Sequence, residues 1–153
     1  MGIEAQLQAD QTVAIKARDT RKLSCIRMLR SRLQEAAVAV RSKRGKQAVL
    51  DEAEAMAVVA AYAKQRRDSI DAYSKAGRDQ MAAEEKAELE IISTYLPAQM
   101  GDDELRTIVT ESVAASGARS AKDMGDVMKL VMPRVKGQAD GKRVKQFVHE
   151  ALA

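Results

Sequence analysis

Apolar residues along this chain recur at steps of three and four, and strict two-residue alternation is nearly absent. That pattern predicts helices throughout and no sheet. The clearest stripe is Leu23, Ile26, Leu29, Leu33, Ala37 and Val40, which predicts a helix over about 22–42 with one apolar face. Asp19 or Thr20 is placed to cap its start, and Gly45 to end it in a left-handed conformation. A first helix over about 2–17 puts Ile3, Leu7 and Val13 on or near one face. A third opens at Asp51, with Glu54 three residues on as in a capping box, and runs to Ala76 before Gly77. Its inner face is Met56, Val59, Ala60, Ala63, Ile70 and Tyr73. A fourth starts near Asp79 and ends before Pro97, with Met81, Leu89, Ile92 and Leu96 on the buried side.

The run Pro97–Gly101 is the best boundary in the chain, because the residue before a proline avoids helical geometry. It predicts an N-terminal helical domain of about four helices over 1–96 and a small three-helix domain over 97–153. In the second domain, a helix over 102–116 turns Leu105, Ile108, Val109 and Val113 inward. Gly101 and Glu104 form a weaker version of a capping box at its start, and Gly117 ends it. Ser120 and Asp123 make a second box, opening a helix to about Met132 with Met124, Val127, Met128 and Val131 inward. Pro133 is expected to break that helix. Ala139 or Asp140 opens the last one, where Val144, Phe147, Val148 and Leu152 face in.

Composition narrows the function. Of 153 residues, 46% are hydrophobic and 31% charged, and no apolar run approaches the roughly 20 residues that a bilayer span needs. No basic region followed by an apolar core marks the start, so the expected location is the cytoplasm, with no membrane partner. The single cysteine, Cys25, excludes an intrachain disulfide, and with one histidine a zinc site lacks ligands. No cofactor or metal is expected. Aromatics are 3% of the chain, too few for platforms on which bases stack. Sequence-specific binding to DNA is not expected either.

Charge is unevenly distributed. Residues 1–48 balance at +7, residues 49–100 at −4 and residues 101–153 at +1. The first segment suits an anionic partner. Arg27, Arg30 and Arg41 fall on one flank of the second predicted helix, beside its apolar stripe. Arg41, Lys43, Arg44 and Lys46 then cluster at its end, where cations also suit the helix dipole without any ligand. Nothing assembles a catalytic constellation: His149 has no obvious partner, and Cys25 sits at the edge of a core stripe with no activating neighbour. Asp102, Asp103 and Glu104 are acids at a helix start, a structural placement. The sequence KGQADG (136–141) is not a phosphate loop, because no Gly-Lys-Ser/Thr follows and no strand precedes it. It reads as a tight turn, although amides near the last helix start could meet an anion.

RMLRSRL (27–33), KQRRDSIDAYSKAGRDQM (64–81), AELEIISTYLP (87–97) and GARSAKDMGDVMKLVMPRVKGQADGKRV (117–144) occur in this order and spacing. Together they resemble the YqeY-like family of small bacterial proteins over nearly the whole chain. The second predicted domain resembles the tail domain of the B subunit of the tRNA-dependent amidotransferase. That enzyme converts misacylated Glu-tRNA or Asp-tRNA with glutamine as amide donor. The matching positions are Gly125, Val127, Met128, Lys129, Lys136, Gly137 and Ala139, with Pro133 and Gly141 in the same stretch. The resemblance implies helical architecture and a role with tRNA or a tRNA-modifying enzyme. Glutamine hydrolysis and transamidation belong to parts of that enzyme that this chain lacks. Two positions depart from the family: Asp126 where Lys is frequent, and Gln138 where Arg is frequent. Both changes remove positive charge, which leaves Gly125 for close helix approach and Val127 and Met128 for core.

The resulting expectation is a non-catalytic, RNA-associated accessory protein. Its RNA-binding residues would be Arg27, Arg30, Arg41 and Arg44 in the first domain and Lys129, Lys136, Lys142, Arg143 and Lys145 in the second. Two alternatives stay open at this point: a helical protein-interaction adaptor, and a component of a carbon–nitrogen ligase using glutamine as amido-N-donor.

Overall fold

The structure is a computed structural model describing residues 2–153. Among the described residues there are seven α-helices and no strand: α1 (Ile3–Ala17), α2 (Thr20–Arg44), α3 (Glu52–Lys75), α4 (Asp79–Ser93), α5 (Asp102–Ser116), α6 (Met124–Val135) and α7 (Gly141–Leu152). A single 3₁₀ turn, Ala121–Asp123, leads into α6. Packing divides the chain into two compact units, one ending at Leu96 and the other running Pro97–Ala153.

In the first unit, α1 and α2 form a hairpin. Arg18 turns the chain in the left-handed region at φ 55°, and the Asp19 carboxylate accepts the Lys22 N–H at 3.0 Å to start α2. Ile3, Leu7 and Ala14 from α1 meet Cys25, Ile26, Leu29 and Leu33 from α2 in one core. Ala55, Val59, Tyr62 and Ala63 of α3, together with Ile92 and Tyr95, complete it. The N-terminus of α1 is held by α3, whose Glu52 carboxylate accepts the Ile3 N–H at 2.8 Å. Its middle is held by Tyr95, whose hydroxyl donates to Asp10 at 2.6 Å.

The capping box at α3 forms in full. The Glu54 N–H donates to the Asp51 carboxylate at 2.8 Å, and the Asp51 N–H donates to Glu54 at 2.9 Å. Asp51→Ala is therefore expected to lower stability by about 1 kcal/mol, checked by urea unfolding; a change near zero would mean the box is dispensable.

Several local expectations need correction. Val13 is 58% exposed, because Ile3, Leu7 and Ala14 set the inner face of α1 and Val13 lies about 100° away from Ala14 around the helix. Met81 is 39% exposed, and its neighbour Ala82 faces the interior instead. Gly45 has positive φ, 110°, but its ψ of 161° makes it a mirror-extended exit and not a left-handed helical one. Gly101 precedes α5 without any side-chain cap bond.

The second unit packs α5, α6 and α7 around Leu105, Ile108, Val109, Val127, Val131, Val135, Val144 and Val148. Pro133 does not break α6; it lies inside the helix, which continues to Val135. The proline removes one N–H that would have bonded to the Lys129 carbonyl. Burial outweighs that loss, since Val131 and Val135 on either side are both fully buried. Gly125 is not a close-approach position either: a Cβ there would meet open space. Val127 is fully buried, while Met128 and Ala139 pack at the edge of the core.

Candidate nucleic-acid interface

A groove of about 600 Å³ runs between α1 and α2. Glu4, Gln8 and Gln11 of α1 line one side. Arg27, Arg30, Ser31, Gln34 and Arg41 of α2 line the other, with Leu33 and Ala37 beneath. The helical repeat explains the set. Arg27, Arg30, Gln34, Ala37 and Arg41 follow one another at alternating steps of three and four, so they share a flank beside the buried stripe. Glu4, Gln8 and Gln11 do the same on α1. These neutral and acidic α1 positions escaped the sequence reading, which followed cations only, although their spacing was visible.

The arginines are not equivalent. Arg30 reaches across the groove and donates to the Gln11 side-chain oxygen at 2.5 Å. Arg27 and Arg41 form no ion pair among the described residues. Arg27 also borders a second groove, of about 400 Å³, with Thr20, Leu23, Ser24, Met28 and Ser31. Arg44, by contrast, pairs with Glu54 at 2.5 Å and so ties the end of α2 to the capping box of α3. At half exposure that pair contributes little stability, but it offsets Arg44's charge.

The cations of the second unit fall into two sets. Lys129 and Lys136 are exposed and lie opposite the buried face of α6 defined by Val127, Val131 and Val135. Seven residues separate them, about 10 Å along the axis. On α7, Lys142 and Lys145 are exposed and share a flank. Arg143 points away from that flank. Its guanidinium donates to the Met100 carbonyl at 2.7 Å and to Asp102 at 2.5 Å, and it lies 5.8 Å from the centre of the Phe147 ring. This arginine anchors α7 to the start of α5.

Part of the turn at 136–139 is bonded within the fold. Gly137 takes φ 77°, and the Gln138 and Ala139 amides both donate to the Val135 carbonyl, at 2.8 and 3.1 Å. The Met100 N–H donates to the Gln138 carbonyl at 2.7 Å. The Gln138 and Ala139 amides and the Gln138 carbonyl are thus occupied by the fold itself. Gly141 opens α7 in open space, following Asp140, which makes no side-chain cap bond.

One polar cluster lay outside the sequence reading. The Tyr62 hydroxyl donates to Glu88 at 2.9 Å, Arg66 pairs with Glu85 at 3.0 Å, and the Arg66 guanidinium stacks 5.0 Å from the Tyr62 ring centre. These interactions join α3 to α4. Beside them lies Cys25, 2% exposed. Burial first, and the Glu88 charge second, push its thiol up to about 12, while Arg66 opposes the shift. Cys25 is therefore inert, as its sequence position suggested. Among the described residues no three His, Cys, Asp or Glu side chains are grouped so as to hold a metal ion, and no helix is long and apolar enough to cross a membrane.

Fold and groove together define an all-helical protein with an arginine-lined surface channel. The chain matches the model of the Yqey-like protein family over residues 4–152, and it belongs to that family. No curated protein matches it.

Proposed function

We propose that this chain is a non-catalytic accessory protein that binds RNA, with tRNA as the expected partner. The α1–α2 groove is its main contact surface. The observation that carries this reading is the pair Arg27 and Arg41, which border one groove and lack acidic partners among the described residues. Guanidinium groups bind phosphate bidentately, and the α1 side sets only Glu4 against the three arginines, which leaves most of the groove's positive charge uncancelled. Lys129, Lys136 and Lys145 would add contacts from the unit that resembles the amidotransferase tail. Arg143 and Arg44 would contribute little, since their guanidinium groups are engaged within the fold.

The test is a titration of tRNA binding against salt. Wild type should bind tRNA at low salt and weaken steeply as salt rises. Arg27→Ala with Arg41→Ala should flatten the slope of log K against log salt by about 0.7–0.9 for each phosphate that is no longer neutralised. Lys129→Ala with Lys136→Ala should have a smaller effect of the same sign. Absence of tRNA binding at low salt, or equal binding to heparin, would remove this reading.

A further inference from the structure

We infer that the α1–α2 groove takes the ribose–phosphate backbone of RNA and selects RNA over DNA through the ribose 2′-hydroxyl. The inference rests on the nucleic-acid reading above and adds the feature of the polymer that is read.

The groove's chemistry is mixed in a specific way. Arg27, Arg30 and Arg41 supply charge, but Gln8, Gln34 and Ser31 stand among them. None of these three side chains has a hydrogen-bond partner among the described residues. Gln11 is different, because its oxygen is already taken by Arg30. Amide and hydroxyl donors can also bond phosphate oxygens, but their acceptor oxygens find no partner there. Each amide offers both a donor and an acceptor, and the serine hydroxyl does the same. The 2′-hydroxyl is likewise donor and acceptor, and it is the group that separates RNA from DNA at a given site.

The lining also says what the groove does not read. It contains no aromatic side chain, so bases have no ring on which to stack. Leu33 and Ala37 form its floor, so the polar groups stand only on its walls. Without stacking, the amides and the hydroxyl are left for the sugar, and recognition should be independent of base sequence. Helical spacing supports a linear ligand. Arg27 and Arg41 are fourteen residues apart on α2, about 21 Å along the axis. Ser31 and Gln34 lie between Arg30 and Arg41, so hydroxyl-matching groups sit between phosphate-matching ones along the groove. Glu4 is the lining's one acid, able to accept from a hydroxyl but repelling phosphate.

The experiment uses the full chain and four labelled probes in fluorescence anisotropy: an RNA hairpin, a second RNA hairpin of scrambled sequence, the first sequence as DNA, and its 2′-O-methyl RNA form. Wild type is expected to bind both RNA hairpins alike and to prefer RNA to DNA by about tenfold, the effect of one or two hydrogen bonds. The 2′-O-methyl hairpin keeps the RNA helix shape and should bind near the DNA level. Gln8→Ala, Ser31→Ala and Gln34→Ala combined should bring RNA binding down to the DNA level, leaving DNA affinity and salt slope unchanged. All three positions are exposed, so the variant should fold, as circular dichroism would verify. Arg27→Ala with Arg41→Ala should instead weaken RNA and DNA together.

If RNA and DNA bind equally while the arginine variant weakens both, the backbone reading stands and hydroxyl selection is overturned. If the 2′-O-methyl hairpin binds as well as RNA, selection is by helix shape and the inference falls. If no probe binds at low salt, both readings fall together.

Discussion

Cys25 should resist alkylation in the folded protein by about three orders of magnitude in thiolate population. The thiol is pushed from an ordinary 9.0 up to about 12. At pH 8 that leaves roughly one thousandth of the thiolate an unfolded chain would present. Steric burial, at 2% exposure, lowers the rate further. Labelling with iodoacetamide should thus be slow in buffer and rapid in denaturant. The native rate should then follow local opening of α2 away from α4 and not the chemistry of the reagent. Fast labelling of folded protein at pH 8 would show that Cys25 is not enclosed as described.

The same shift predicts how stability depends on pH. The unfolded chain begins to lose the Cys25 proton near pH 9, whereas the folded chain keeps it until about pH 12. Stability attached to the neutral thiol is fully present below pH 9 and is lost as pH rises through that interval. Tyr62 and Tyr95 act in the same direction. Burial raises both, and their hydroxyls donate to Glu88 and Asp10, bonds that ionisation would destroy. The first unit should therefore be sensitive to alkali. Its midpoint in urea should fall between pH 9 and pH 11, and Cys25→Ser should make that fall shallower.

Leu29→Ala is expected to lower the stability of the first unit by about 2–5 kcal/mol. Leu29 is fully buried and belongs to the core where α1, α2, α3 and α4 meet, so no surface side chain can fold down to fill the cavity. Val13→Ala is the control. Both residues are aliphatic and helical, and both were expected on inner faces, but Val13 is 58% exposed. Its replacement should change stability by less than about 0.5 kcal/mol. Urea midpoints for the two variants, measured side by side, check the assignment of the core directly. Equal costs would mean that α1 is rotated relative to its described placement.

Much of the helical architecture was legible in the sequence because helix formation is local. The 3.6-residue period, the Asp19 and Asp51 caps and the Gly117 exit all act within one or two turns. The predicted helices over 102–116 and from Asp51 to Ala76 therefore match α5 and α3 closely. The arginine flank of α2 was legible for the same reason. What the period could not supply was the fate of each polar head once helices packed. Arg27, Arg44 and Arg143 are equally plausible cations in the sequence. Packing leaves Arg27 in a groove, sets Arg44 against Glu54, and turns Arg143 toward Met100 and Asp102.

The sequence by itself determined an all-helical architecture, with seven α-helices among the described residues, and, through residue order, its family. Only tertiary structure decided that Pro133 stays within α6, because burial of Val131 and Val135 outweighs one missing backbone hydrogen bond. Only tertiary structure set Gln8 and Gln34 on facing helices of one groove. Local propensity depends on neighbours a few residues away, whereas a groove depends on which side chains two helices leave uncovered when their apolar faces meet.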